Sequence, residues 1–453
     1  MAGHGRALLS AALAFLLVAL VGAAPVAARP GRVALGYVMG TDLYDGYLPK
    51  DIPVAAYSHL AYAFIRPTAT GRCALGDPWS DVQAPVAAVD SVDGKADRAT
   101  DPAPRLFGFL GQLRKLKAAH PGLRIIASIG GWSWSDFFSD IARTPASRAA
   151  FARSCIDLLI RGNVPNGEGV GGRGAAAGLF DGLDIDWEYP VCCGEPGNHE
   201  RAADRANATL LLRELRRQLD AIGARRGRHY SLTIAIPGGG GAAKHYELAK
   251  VAGVVDWINL MSYDLHGSWD PTTDFGSPFH SDPVDPAGSA GASVRGSVAD
   301  LRRHGVPAER IVVGVPFYGR QHIRVATEGD GLYQPYDDTG LSEGPWPDTL
   351  TPTWRDLVEA GVVTVPSDGS DPHGANGFTR HWSDAAGEPW LWTSAASRAG
   401  TTTTAWIGYT DPAAIAERVA FVRDRGLRGL MVWEVSQDDL AGTLGTALGA
   451  VRH

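Results

Sequence analysis

Short apolar, β-branched runs recur along the chain, each cut off by glycine, proline or a polar cluster. Most are separated by segments whose apolar residues return every three or four positions. Eight of the runs read as strands: Arg32–Val38, Ser58–Ile65, Leu123–Ser128, Gly182–Trp187, Ser231–Ile236, Val255–Ser262, Ile311–Val315 and Leu427–Trp433. A helix is expected at Arg105–Ala119, where Leu106, Phe109, Leu110, Leu113 and Leu116 keep helical spacing. Others are expected at Ser147–Arg161, Ser293–His304 and Asp411–Arg425, and at Arg205–Arg225, whose apolar stripe is Leu211, Leu215 and Leu219 widened by Leu212 and Ile222. Arg66–Pro104 has no steady period and reads as an irregular surface loop, as does the glycine-rich Asn163–Gly178.

Strands separated mostly by helices imply parallel pairing through crossovers, and eight is the number that closes a TIM (β/α)8 barrel. A doubly wound open sheet is the alternative. Polar and aromatic residues gather where the strands end, which suits the face where barrel enzymes keep their chemistry. Residues 321–404, after the seventh strand, are too many for an ordinary barrel loop. They hold Tyr333, Trp346, Trp354, Trp382, Trp390 and Trp392, short strand-like runs and a helix at Thr353–Ala360. This segment reads as a small α+β insertion domain walling a cleft, with most of its tryptophans as its own core. The barrel then comprises 29–320 and 405–453.

At the N-terminus, Arg6 precedes the apolar run Ala7–Val21, and Val26-Ala27-Ala28 offers small residues for cleavage. Residues 1–28 read as a secretory signal rather than an anchor, because the apolar run is short and ends in Gly, Ala and Pro. The expectation is a secreted, extracellular protein with no membrane attachment after cleavage.

Composition narrows the class further. Of 453 residues, 45% are hydrophobic and 20% charged, a globular balance, and the formal net charge of -7 disfavours nucleic acid as a partner. Four cysteines suit an exported protein; Cys192 and Cys193 are adjacent, Cys73 and Cys155 distant, and the pairing is open. They have neither Cys-x-x-Cys spacing nor clustered histidines beside them, so they imply no metal.

The chemistry gathers on the fourth run. Alternation along Gly182–Trp187 sends Asp184, Asp186 and Glu188 to one face and Leu183, Ile185 and Trp187 to the other. Same-face neighbours lie roughly 6.5–7 Å apart at Cα, close enough for their carboxyls to repel and to share protons. Asp181 has the other parity and is expected at the strand entrance or turned toward helices. A hard-cation site or a solvated edge are the other readings of such a row.

Asp181-x-x-Asp184-x-Asp186-x-Glu188-Tyr189 resembles the motif of family 18 glycoside hydrolases, the chitinases and their relatives. Ser128-x-Gly130-Gly131, Met261-x-Tyr263-Asp264, Phe317-Tyr318-Gly319-Arg320 and Trp433 follow in the family's order, so the likeness covers nearly the whole chain after the signal. The resemblance implies retaining hydrolysis of β-1,4 links between N-acetylglucosamine units, with the substrate's own N-acetyl oxygen attacking the anomeric carbon. By the same resemblance, Glu188 is the acid that protonates the leaving oxygen and later activates water, and Asp186 orients the acetamide. Asp184 shares a proton with Asp186, and Tyr263 donates to the acetamide oxygen. Trp433 matches the floor beneath the distorted sugar, and Tyr37, Phe64, Trp132, Met261, Asp264, Tyr318 and Arg320 are further substrate-binding candidates. Chitin or N-acetylglucosamine oligosaccharides are the implied partners of a monomer that needs no cofactor. The alternatives are an endo-β-N-acetylglucosaminidase acting on glycoprotein glycans, and a non-hydrolytic chitin-binding lectin; relatives of the latter kind typically lack the acid that Glu188 supplies.

Overall fold

The computed structural model describes residues 1, 31–287, 292–339, 351–367, 371–398 and 401–453. The rest of the expected export signal and Trp346 lie outside the described residues.

Eight parallel strands form the centre: β1 (Val33–Met39), β2 (His59–Pro67), β3 (Arg124–Gly130), β4 (Gly182–Asp186), β5 (Ser231–Pro237), β6 (Trp257–Met261), β7 (Ile311–Pro316) and β8 (Gly429–Trp433). Each pairs with its sequence neighbours, and β1 pairs with both β2 and β8, so the sheet closes into the expected TIM barrel. The open doubly wound sheet is excluded by that closure. Helices Gly108–Ala119, Pro145–Cys155, Asp204–Arg226, Val294–Arg303 and Pro412–Asp424 accompany the strands, the second continuing as a π-helical turn over Ile156–Ile160, so that all lie within a few residues of the expected bounds. Ser293 and Asp411 turn out to be N-caps rather than first-turn residues, each accepting a hydrogen bond from a first-turn backbone N–H.

The alternation along β4 divides two separate hydrophobic clusters. Leu183, Ile185 and Trp187 face outward and pack with Leu211, Leu215 and Leu219 of the helix Asp204–Arg226. Inside the barrel a smaller cluster forms from Leu35, Tyr37, Ile126, Trp257, Met261 and Met431, among others, and Tyr263, Phe64 and Trp433 pack against it. Asp181 sits just before β4, where its carboxylate accepts from Ile125 N–H at 2.9 Å, pairs with Lys117 at 2.7 Å and pairs with Arg228. It ties a helix and the start of β5 to the entrance of the acidic strand.

Between β7 and β8 a four-stranded antiparallel sheet forms from Arg320–Ile323, Thr401–Gly408, Glu388–Arg398 and Thr379–Ser383, in that spatial order. Trp390, Trp392 and Trp406 pack with Phe275 and Val325 in a third buried cluster, and Trp354 stacks on Tyr409 at 6.1 Å. The irregular segment after β2 contains one short strand, Cys73–Leu75, antiparallel to β2, and Cys73 is bonded to Cys155. Cys192 and Cys193 are bonded to each other.

Candidate active site

Register explains how the acidic row is held. On β3 and β5, Ser128 and Thr233 lie directly beside Asp184, so all three side chains point into the barrel. Asp184 accepts from Ser128 Oγ at 2.8 Å, Thr233 Oγ1 at 2.5 Å, Tyr37 Oη at 2.8 Å and Asn259 Nδ2 at 3.1 Å. Burial pushes its pKa up, and those four hydrogen bonds work against the rise.

One pleat further on, Asp186 is buried too, but its Oδ1 has no hydrogen-bond partner. Burial first, then the charges of Glu188 and Asp184, raise its pKa well above the carboxylate range. Glu188 is half-buried at the strand's exit. Burial and the Asp264 charge lift its pKa to about 7, against a hydrogen bond from Tyr189. The row therefore keeps protons near neutral pH, and Glu188 is poised to donate one.

The strand exit is fixed by contacts to its backbone. Gly130, at φ 110°, lies so close that a Cβ there would fall 2.2 Å from the Asp186 carbonyl oxygen. Ser135 Oγ accepts from Glu188 N–H at 2.9 Å, Tyr246 donates to the Trp187 carbonyl at 2.7 Å, and Asn198 donates to the Glu188 carbonyl at 2.9 Å. Cis peptide bonds join Ala63 to Phe64 within β2, where its pairing with β3 shifts register, Glu188 to Tyr189 just after β4, and Trp433 to Glu434 at the end of β8.

These strand ends open into a cleft of about 690 Å³. Asp186, Glu188, Tyr37, Phe64, Trp132, Met261, Tyr263, Asp264, Arg320 and Trp433 all line it. Trp433 lies between Tyr37 at 5.6 Å and Phe64 at 5.5 Å, nearly parallel to the latter. Tyr263 is kept as a neutral phenol by burial and by the charges of Asp186 and Asp264, and its hydroxyl has Met431 Sδ as a neighbour at 3.9 Å. Of the expected site residues, the buried Asp184 and the half-buried Tyr318 do not line it; Tyr318 donates to Asp264 at 2.8 Å, and Arg320 pairs with the same carboxylate. The arrangement offers a proton donor, a buried acceptor, a phenol donor and apolar ring platforms, a set suited to a neutral sugar with an amide substituent.

The family model of the glycosyl hydrolases family 18 matches residues 34–438. The chain belongs to that family. It is thus a glycoside hydrolase. It is 38% identical over 372 residues to Chitinase A1 of Niallia circulans, covering 81% of this chain and 46% of that longer relative, so it spans about half of it. It is 29% identical over 455 residues to Endochitinase 1 of Metarhizium robertsii, covering 97% and 92% of the two chains. The catalytic domain of psychrophilic chitinase B from Arthrobacter TAD20 superposes with a TM-score of 0.80 at 31% identity, covering 93% of this chain and 95% of that one.

Several residues of this family 18 site escape a reading of motifs. Trp269 lines the cleft, exposed, with the Arg320 guanidinium 5.3 Å from its ring. Met39, Trp134 and Leu265 also contribute to the lining. Ser135, Asn198 and Tyr246 act on backbone atoms, and Thr233 and Asn259 act on Asp184 from other strands. Strand parity alone places Thr233 inward, since Leu232 and Ile234 flank it.

Proposed function

We propose that this family 18 hydrolase is a chitinase that cuts β-1,4 links between N-acetylglucosamine units with retention, using the substrate's own acetamide as nucleophile. The observation that carries the reading is that Glu188 and Asp186 are the carboxylates lining the cleft that are left for chemistry. Asp264 is engaged by Tyr318 and Arg320, Asp81 by Tyr62, and Asp77 by Tyr44. A two-carboxylate retaining mechanism needs an ionised nucleophile as well as an acid, whereas Asp186 is strongly disposed to hold a proton.

In this mechanism Glu188 gives its proton to the glycosidic oxygen as the bond breaks. The acetamide carbonyl oxygen attacks the anomeric carbon, forming an oxazolinium ring. The orphan oxygen of Asp186 accepts from the acetamide N–H, and Tyr263 donates to the carbonyl oxygen. Glu188, now ionised, takes a proton from the water that opens the ring, restoring the starting state. Trp433 supports the sugar ring from below. The sheet after β7 forms a wall of the cleft, as part of an insertion domain at 321–404. The protein acts outside the cell as a monomer after loss of residues 1–28; among the described residues no helix is long and apolar enough to cross a membrane.

The test compares chitin oligosaccharides with their fully deacetylated counterparts, with and without a thiazoline mimic of the cyclic intermediate. Cleavage confined to acetylated substrate and blocked by the thiazoline is expected. Glu188→Gln should abolish hydrolysis by roughly 10²–10⁴-fold while binding persists. Rapid cleavage of deacetylated polymer refutes substrate assistance, and undiminished cleavage by the variant refutes the acid.

A further inference from the structure

A second convergence of ligand-type side chains lies outside the cleft, in the loop that follows β6. His266, Asp274 and Asp285 each bring one donor atom to a common point, all within 4.8 Å of one another. His266 is 3% exposed and Asp274 5%. Oδ2 of Asp274 is fully buried, accepts no hydrogen bond, and faces His266 Nδ1 at 3.3 Å. Asp270 approaches the same ring nitrogen at 3.3 Å from the other turn of the loop.

Converging carboxylates in a buried pocket are costly unless a proton or a cation lies between them. We propose that His266, Asp274 and Asp285 hold one divalent cation of the zinc class. Zinc takes imidazole nitrogen and carboxylate oxygen at about 2.0–2.2 Å in a tetrahedral shell, so neighbouring ligand atoms stand about 3.4 Å apart. His266 Nδ1 and Asp274 Oδ2, at 3.3 Å, already have that spacing, and Asp285 closes in from within 4.8 Å. Calcium takes oxygen ligands, and the buried imidazole argues against it.

The ion's role is to pin a loop rather than to react with sugar. The same loop carries Trp269 and Leu265 of the cleft lining and is stitched to the segment after β7. Thr273 donates to the Gly331 carbonyl at 2.5 Å, Tyr336 to the Asp270 carbonyl at 2.6 Å and Tyr333 to Asp282 at 3.0 Å. A bound cation ties this loop to itself and so fixes the side of the seam from which Thr273, Asp270 and Asp282 meet the segment after β7.

The full chain, stripped with chelator, is dialysed to equilibrium against Zn²⁺ and separately against Ca²⁺, and bound metal is counted by mass spectrometry. One Zn²⁺ per wild-type chain is expected, with a higher melting temperature than the stripped protein. D274N and D285N should each weaken that binding at least tenfold and lose the thermal gain. Asp285 is half-buried, so D285N gives the answer if D274N fails to fold. Equal Zn²⁺ content in wild type and variants, retention of neither ion, or retention of Ca²⁺ in preference to Zn²⁺ overturns the assignment.

Discussion

Asp184 and Asp186 occupy the same face of one strand two residues apart, yet the first accepts four hydrogen bonds and the second keeps a buried oxygen with none. An orphaned buried acceptor costs about 1–3 kcal/mol, so the protein carries a penalty that a ligand N–H removes. Asp186→Asn keeps the shape but presents an amide that acts as acceptor on one side and donor on the other. It should lower kcat roughly 10²-fold through misplacement of the acetamide. Steady-state kinetics on a defined oligosaccharide checks this, and an unchanged kcat removes Asp186 from the reaction.

The alkaline limb of the pH profile depends on two neighbours of Glu188 with opposite signs. With a pKa of about 7, its protonated form falls away above neutrality, and kcat/KM should fall about tenfold per pH unit there. Tyr189→Phe removes a bond that favours the carboxylate, so the alkaline limb should move up. Asp264→Asn removes a repelling charge, so the limb should move down. Profiles of both variants that coincide with wild type would detach the limb from Glu188.

Function here opposes stability. In the folded chain Glu188 titrates near 7 against an ordinary 4.5, so the native state binds the extra proton and stability falls as pH rises through that window. Glu188→Gln cannot ionise. It should match wild type below about pH 4.5 and exceed it above pH 7 by about 1–3 kcal/mol, discounted for partial exposure. Denaturant melts at pH 4 and pH 8 give the comparison, and a variant less stable at pH 8 contradicts it.

Asp181 should behave in the reverse manner. Its ties to Ile125, Lys117 and Arg228 lie at the entrance of β4, away from the cleft. Asp181→Asn should cost about 1–3 kcal/mol of stability and leave kcat and KM unchanged. A drop in kcat without a drop in melting temperature would give this residue a chemical role.

The barrel was legible because parity and run length are local properties. Gly182–Trp187 states its two faces in six letters, and the apolar stripe of the helix Asp204–Arg226 states which face it buries. Tyr37 and Trp433, which line the cleft, were marked by their places at strand ends together with the resemblance to family 18. Trp269 was not, because its place over the cleft depends on a loop held by Asp270 and Tyr336 through contacts far apart in the chain. Ser135, Asn198 and Tyr246 were hidden likewise: they address carbonyl and amide groups, which every residue has, so nothing in the order of side chains marks them. The Cys73–Cys155 bond joins residues 82 positions apart. Composition gives no way to choose that pairing over the others.

The outward side chains of β4 belong to the cluster that holds the barrel to its helices, whereas its inward acids face the smaller cluster inside the barrel and the cleft. Losing or gaining one residue between 183 and 187 would exchange their destinations, driving acids against Leu211 and Leu215 and turning leucine toward the cleft. A loop above the barrel can be lengthened or trimmed without exchanging these faces, but the spacing within this strand has no such latitude.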